Sequence, residues 1–172
     1  MIDISMAGAV VTIEMDGLPK GFTISEFAED SDPISIPDLE VRKGGMNLNG
    51  KLISWASPNP VSISFSIIPG SQSDLTLCAA LRAAHIGGVG NNIGNAYVRS
   101  LTITVPLVSD ENSDTSFAGR KSKSWTFING YISSGSPAQG SNGEGRASTK
   151  TYTFVFEGFS QETTKKLLST QP

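Results

Sequence analysis

The sequence predicts a mainly β protein: a β-sandwich or partly closed barrel of two packed antiparallel sheets, with one flanking α-helix over about residues 73–86. Three observations carry this. Apolar and polar residues alternate in six or seven short segments, the period-2 signature of strands buried on one face. A single stretch, SDLTLCAALRAAH, repeats instead every three or four residues, and it stands mid-chain rather than alternating with strands. That order excludes a doubly wound parallel sheet. The composition agrees: 38% apolar residues and 18 glycines, with abundant serine and threonine, suit a two-layer fold rich in turns. A length of 172 residues supports one proper core, so residues 1–172 are expected to form a single domain.

Strand signals begin with AVVTIEM (residues 9–15) and GFTISEF (21–27). EDSDPISIPD follows, and Pro33 and Pro37 restrict it to an edge strand, because proline gives a ladder no donor. In EVRKGGMNLNGKLISWASPNP the pairs Gly44-Gly45 and Asn49-Gly50 favour tight turns, so residues 41–60 are expected to project as a hairpin or loop. VSISFSI sets Val61, Ile63, Phe65 and Ile67 on one strand face and Ser62, Ser64 and Ser66 on the other. A PGS turn then leads directly into the helix. Ser71, three residues before Asp74, fits an N-cap with an acid in the first turn. Leu75, Cys78, Leu81 and His85 form the expected buried stripe, and Gly87-Gly88 stops the helix.

Three further strands are expected. YVRSLTITVP (97–106) opposes Val98, Ser100, Thr102 and Thr104 to Arg99, Leu101, Ile103 and Val105, and Pro106 ends the ladder. SWTFINGYI (124–132) and TKTYTFVFEGF (149–159) alternate aromatic and polar residues. The polar segments at about 107–123 and 133–148 have almost nothing to bury and are expected to be flexible loops.

Charge is unevenly placed. Residues 1–40 hold nine acids against one base, Lys20, a net −8, whereas residues 41–172 hold seven acids and twelve bases, a net +5. Solvated faces explain most such imbalances, but one acidic and one basic surface would also let copies meet head to tail. No basic stripe with interleaved aromatics marks a nucleic-acid site. One cysteine, Cys78, excludes an intramolecular disulfide framework. No segment approaches the ~20 apolar residues of a membrane helix. The opening MIDISMAGAVVTIEMDG lacks a basic stretch before its apolar run, so a signal peptide is not expected.

Chemistry is sparse. Cys78 and His85 lie seven residues apart on one helix, about 10 Å of rise, too far to act as a dyad. One histidine and one cysteine are too few for a zinc site. GGVGNNIGN (87–95) follows a helix and opens none, so it fails the dinucleotide fingerprint and reads as a connection. Asp30 with Asp32, and Asp110 with Glu111, lack the ligand spacing of a calcium loop and read as solvated turns. Trp55 and Trp125 are capable of stacking on a sugar, yet both occupy strand-like segments where core packing is the commoner fate. With His85 the sole candidate base, no hydrolase triad assembles. No catalytic residue, cofactor or metal is expected, and the chain is not expected to be an enzyme.

The segment GKLISWASPNPVSISFSIIPGSQSDLTLCAALRAAHIGGVG (50–90), framed by GAVVTIEMDG, VRSLTITVP and TYTFVFEGF, resembles the tail tube proteins of contractile-tailed bacteriophages. More distantly it is similar to the tubes of type VI secretion systems and tail-like bacteriocins. The resemblance implies a β-sandwich with a flanking helix, six copies to a ring, and rings stacked into an inner tail tube that conducts DNA during ejection. It implies as partners further copies of the chain and the tail sheath, tape measure, baseplate and tail terminator proteins, with viral DNA passing through the lumen without specific binding. It places the protein in the virion tail, and in the host cytoplasm during assembly, with no cofactor. Within that picture Arg42, Lys43 and Lys51 of the projecting segment are expected to dock on the acidic Glu29, Asp30 and Asp32 of the next ring, a head-to-tail contact. The rival readings are another tail or baseplate component and a glycan-binding β-sandwich.

Overall fold

Every long strand carries one apolar face, and burying those faces against one another decides the architecture. The computed structural model describes residues 8–15, 22–28, 33–85, 97–106, 122–141 and 143–163. They form strands β1 (Val10–Met15), β2 (Phe22–Ile24), β3 (Ile34–Ser35), β4 (Arg42–Met46), β5 (Leu52–Ala56) and β6 (Val61–Ile67). Helix α1 (Gln72–Ala84) follows, then β7 (Tyr97–Pro106), β8 (Ser122–Ser134) and β9 (Lys150–Thr163). Seven strands make one antiparallel sheet in the order β2-β1-β7-β8-β9-β6-β3, and β4 pairs with β5 as a separate hairpin. The large sheet curls into a half-barrel whose inward side chains meet in one cluster, so the expected partly closed barrel is a single sheet folded over its own core. The expected edge strand around Pro33 and Pro37 is β3, two residues at the margin of the sheet.

In β6 the alternation is faithful: Val61, Ile63, Phe65 and Ile67 are buried and the three serines between them are half-exposed. From the neighbouring strand, Tyr152, Phe154 and Phe156 fill the same interior. Phe65 meets Phe154 edge to face at 6.0 Å, a favourable aromatic geometry. Each fully buried side chain of this size contributes roughly 1.5–3 kcal/mol from removal of its apolar surface from water.

Strand β7 departs from simple alternation. The sequence set Val98 with the polar residues, yet Val98, Leu101, Ile103 and Val105 are all buried. The cause is an extra residue: Glu14 pairs with Ser100 and Met15 with Val98, leaving Arg99 as a bulge against β1. On β8 the same level holds Asn129, at φ 53°, flanked by the pairs Val98–Gly130 and Ser100–Ile128. On β9 it holds Glu157, between Phe156 and Gly158. Inward and outward faces exchange along this line in all three strands, and the sheet bends there. Gly130 is required at the bend, because a Cβ would stand 2.3 Å from the Val155 carbonyl oxygen and 2.4 Å from Cδ1 of Phe156.

Helix α1 begins as the sequence predicts, with the Asp74 amide donating to Ser71 Oγ at 3.2 Å. The buried face differs. Leu75 and His85 are exposed and Cys78 is half-buried, while Ser73, Asp74, Leu77 and Ala80 turn inward. The roll of the helix follows from Asp74. Its Oδ1 accepts from the Tyr152 hydroxyl at 2.8 Å, and its Oδ2 accepts from the Gly70 amide at 2.9 Å and lies 3.2 Å from Lys150 Nζ. Burial pushes the Asp74 carboxyl upward, but the Gly70 amide, the Tyr152 hydroxyl and the Lys150 ammonium outweigh it and hold the group below the usual carboxylate range. Burial and the neighbouring Asp74 carboxylate push the Tyr152 phenol far up, so it is a permanent donor. A buried ion pair must be complete to be tolerated, and this one is.

β8 runs on to Ser134, and Ser141 bridges Ala147 while the Ser148 amide donates to the Gly140 carbonyl at 3.0 Å. The expected loop at 107–123 falls outside the described residues up to position 121, and β8 occupies the rest.

Gly130→Ala is expected to destabilise the fold by about 1–3 kcal/mol through overpacking, a fall of several degrees in thermal midpoint. Gly143→Ala, where a Cβ meets nothing within 4 Å, should leave the midpoint unchanged. Thermal unfolding by circular dichroism compares the two.

Candidate functional site

Among the described residues no three His, Cys, Asp or Glu side chains converge on a metal-sized site. The groove of chemical interest lies between α1 and the end of β8. It has a volume of about 390 Å³ and is lined by Cys78, Leu81, Arg82, His85, Ser133, Ser134, Gly135 and Pro137. Cys78 and His85 therefore share one groove, but no carboxylate among the described residues lines it to orient an imidazole, and its walls are mostly apolar.

The hairpin is the more informative surface. β4 and β5 pair in register from Arg42–Ala56 to Met46–Leu52. At its tip Asn47 Oδ1 accepts from the amides of Asn49 and Lys51 at 3.0 and 2.8 Å, and Gly50 adopts φ 75°. That is an asparagine-built turn closed by a glycine able to take a positive φ. The base is tied by the Ser57 amide to the Val41 carbonyl at 3.1 Å and by Asn59 Nδ2 to the Glu40 carbonyl at 3.1 Å. Cross-strand pairing places Met46 and Leu52 on one face, and Ile53 and Trp55 on the other. All four are exposed, as are Val41 and Leu48. Trp55, expected in a core, is 51% exposed, because the hairpin stands off the sheet with no apolar surface of the described residues to pack on. Trp125 is half-buried against the core, as expected.

The charged residues predicted on this segment are present and exposed. Arg42 is committed within the hairpin: its Nε donates to Ser54 Oγ at 3.3 Å, and one terminal nitrogen donates to that oxygen at 3.1 Å and to the Ser54 carbonyl at 3.3 Å. Lys43 lies opposite Trp55, and Lys51 follows the tip. Glu29, Asp30 and Asp32 lie outside the described residues. What the charge-based reading of this segment missed is its apolar character. The run LISWA signals it, since both parities carry large apolar residues and neither face belongs to a core.

A second surface is a strand margin. β9 pairs with β8 from Thr153 to Thr163, but with β6 only from Lys150 to Phe156. β6 cannot extend further, because Pro58 and Pro60 precede it and cannot donate to a ladder. From Glu157 to Thr163, β9 therefore has no described strand on its second side. Phe159, 60% exposed, sits at that margin against Phe127, with ring centroids 6.4 Å apart. The convex face carries small hydroxyl side chains, with Thr102 and Thr126 3.4 Å apart and Ser64 and Thr153 3.0 Å apart, alongside exposed Tyr97, Ile128 and Tyr131. An open margin and a standing apolar hairpin are surfaces suited to contact with another polypeptide.

The same architecture occurs in contractile injection particles. A chain of the sheath/tube terminator of the extracellular contractile injection system PVC, in its extended state, is similar with a TM-score of 0.54 at 12% identity, covering 94% of this chain and 98% of that one. A chain of the 6-fold symmetrised baseplate of the anti-feeding prophage gives 0.52 at 16% identity, covering 94% and 96%. A chain of that particle's tube-terminating cap gives 0.51 at 15%, covering 95% and 93%. At these identities the likeness is one of fold. The chain belongs to the family of tail fiber protein gp32, whose model matches residues 2–160. No curated protein matches its sequence.

Single-tryptophan variants test the hairpin's exposure. With Trp125→Phe, the remaining Trp55 should emit near the solvent limit and be quenched readily by acrylamide; with Trp55→Phe, Trp125 should be bluer and better shielded. Equal quenching of the two would contradict a hairpin standing free in the isolated chain.

Proposed function

We propose that this chain is a structural subunit of a contractile tail, assembling with copies of itself into hexameric rings that stack as the inner tube. The observation that carries the reading is the β9 margin from Glu157 to Thr163, left without a described strand on its second side by the prolines before β6. A neighbouring copy that supplies a strand there closes the ladder and covers Phe159, and repetition around a rotation axis gives a closed ring. The small hydroxyl side chains of the convex face suit a water-filled lumen through which DNA slides without specific binding. The standing hairpin, with Arg42, Lys43 and Lys51 and no acid among residues 41–57, is the stacking element, reaching toward the acidic segment with Glu29, Asp30 and Asp32 on the next ring. Its apolar residues become buried in that contact and supply most of its energy, with the charges setting direction. Sheath, tape measure, baseplate and terminator proteins are the partners this role requires, and the location is the virion tail. The subunit performs no catalysis.

A second reading has its own support: the three solved relatives in fold come from a terminator, a baseplate and a cap. On that reading the chain forms a ring at one end of the tube rather than its repeating body. Copy number per particle separates the two, tens of copies for a tube and one or two rings for an end piece.

Negative-stain microscopy of purified protein at high concentration is expected to reveal six-fold discs or hollow tubes; a strict monomer would count against the proposal. Arg42→Glu with Lys43→Glu should shorten tubes or leave single discs while the thermal midpoint of the subunit is unchanged, since both positions are exposed. Tubes of unaltered length would remove the hairpin charges from the contact.

A further inference from the structure

Helix α1 is held very unevenly along its length. At its N-terminal end the Gly70 amide, the Tyr152 hydroxyl and the Lys150 ammonium all converge on Asp74. A second carboxylate arrives from the segment after β2: Glu26 Oε2 accepts from the Ser73 amide at 2.9 Å. Glu26 is itself fixed, since its carbonyl accepts from the Ile68 amide at 3.1 Å and the next residue, Phe27, bridges Ile67. Among the described residues the opposite end has no such anchors. Leu77 and Ala80 are the buried apolar residues of the helix, Leu81 and Ala84 are partly covered, and beyond them the groove of about 390 Å³ runs beneath Cys78, Leu81, Arg82 and His85. Two small-to-medium side chains give far less apolar anchorage than the interior of the sheet, where aromatic residues from three strands interlock.

We propose that α1 is a releasable cover on the half-barrel, latched at its N-terminal end by the carboxylates of Asp74 and Glu26, and that acid opens it as a unit while the curled sheet stays folded. The latch is local: among the described residues, the side-chain contacts that tie the helix start to distant strands pass through these two carboxylates, and of the described helix side chains Leu77, Ala80 and their partly covered neighbours oppose opening once both are neutral. The groups facing Asp74 are Lys150 and Tyr152 on β9, and Cys78 one turn along acts on Tyr152. Glu26 faces Ser71, Gln72 and Ser73 at the helix start.

The direction with pH follows from the contacts. The Ser73 amide and hydroxyl, with lesser help from Ser71 and Gln72, hold the Glu26 carboxyl below its usual range, and Asp74 is held low as described. A depressed carboxyl stabilises the latched state fully above its unfolded value, about 3.9 for Asp and 4.3 for Glu, and that stabilisation is lost as pH falls through the lower folded value. Protonating Asp74 also leaves the Lys150 ammonium buried without its counter-charge, which favours separation.

Peptide-resolved hydrogen exchange on the full chain, corrected for the pH dependence of chemical exchange, reads the latch directly. Between pH 7 and pH 3 the amides of residues 72–84 should lose protection at least tenfold while those of β6, β8 and β9 keep theirs. Glu26→Ala, which removes one acceptor without touching the core, should raise exchange of the first helical turn about tenfold already at pH 7, the size expected for a lost bond to a charged acceptor. Asp74→Asn should open the helix further; if that variant fails to fold, Glu26→Ala and the wild-type titration decide the matter. Loss of protection by helix and sheet in a single step, or an unchanged helix in Glu26→Ala, would overturn the proposal.

Discussion

A carboxylate sealed from water organises this fold. Asp74, 2% exposed, joins the turn after β6, the first turn of α1 and the start of β9 through a backbone amide, a phenol and an ammonium. In a low-dielectric interior each of those bonds is strong and none is dispensable, since removing one partner leaves a buried polar group or charge uncompensated. The geometry of the cluster therefore fixes the roll of the helix, which side of it meets the sheet, and where the groove beneath its C-terminal half opens. Lys150 lies at the first residue of β9, so the same contact also registers β9 against the helix.

Curvature is the second determinant. A flat sheet of seven strands offers no interior, whereas the bend at Arg99, Asn129 and Glu157 turns one apolar face upon itself. The bend needs a residue tolerant of positive φ, supplied by Asn129, and a position without a Cβ, supplied by Gly130. It also explains why the strands are unequal. β8 and β9 continue past the bend by several residues, β6 does not, and an unpaired margin results.

The consequences are complementary in kind. The described residues fill the interior, but among them nothing covers the hairpin or pairs the second side of the β9 margin, and such surfaces present what water accommodates poorly: large apolar side chains and open backbone groups. An isolated subunit leaves them exposed; the proposed ring and stack would cover them with the same chain repeated.

Local periodicity alone determined much of this protein. The strand character of β1 and β9, the two faces of β6, the N-cap at Ser71, the turn at Asn49-Gly50 and the edge character of β3 all follow from neighbours in sequence, because pleat and helical turn relate residues only a few positions apart. What the tertiary structure decided involves partners distant in the chain. Asp74 read as an ordinary first-turn acid until Lys150 and Tyr152, more than seventy positions away, were brought to it. Val98 read as outward until a bulge against Glu14 and Met15 reversed the strand. Trp55 read as core until the hairpin proved to have none of the described residues packed beneath it. Burial depends on what the rest of the chain places opposite a residue, and a one-dimensional pattern contains no record of that.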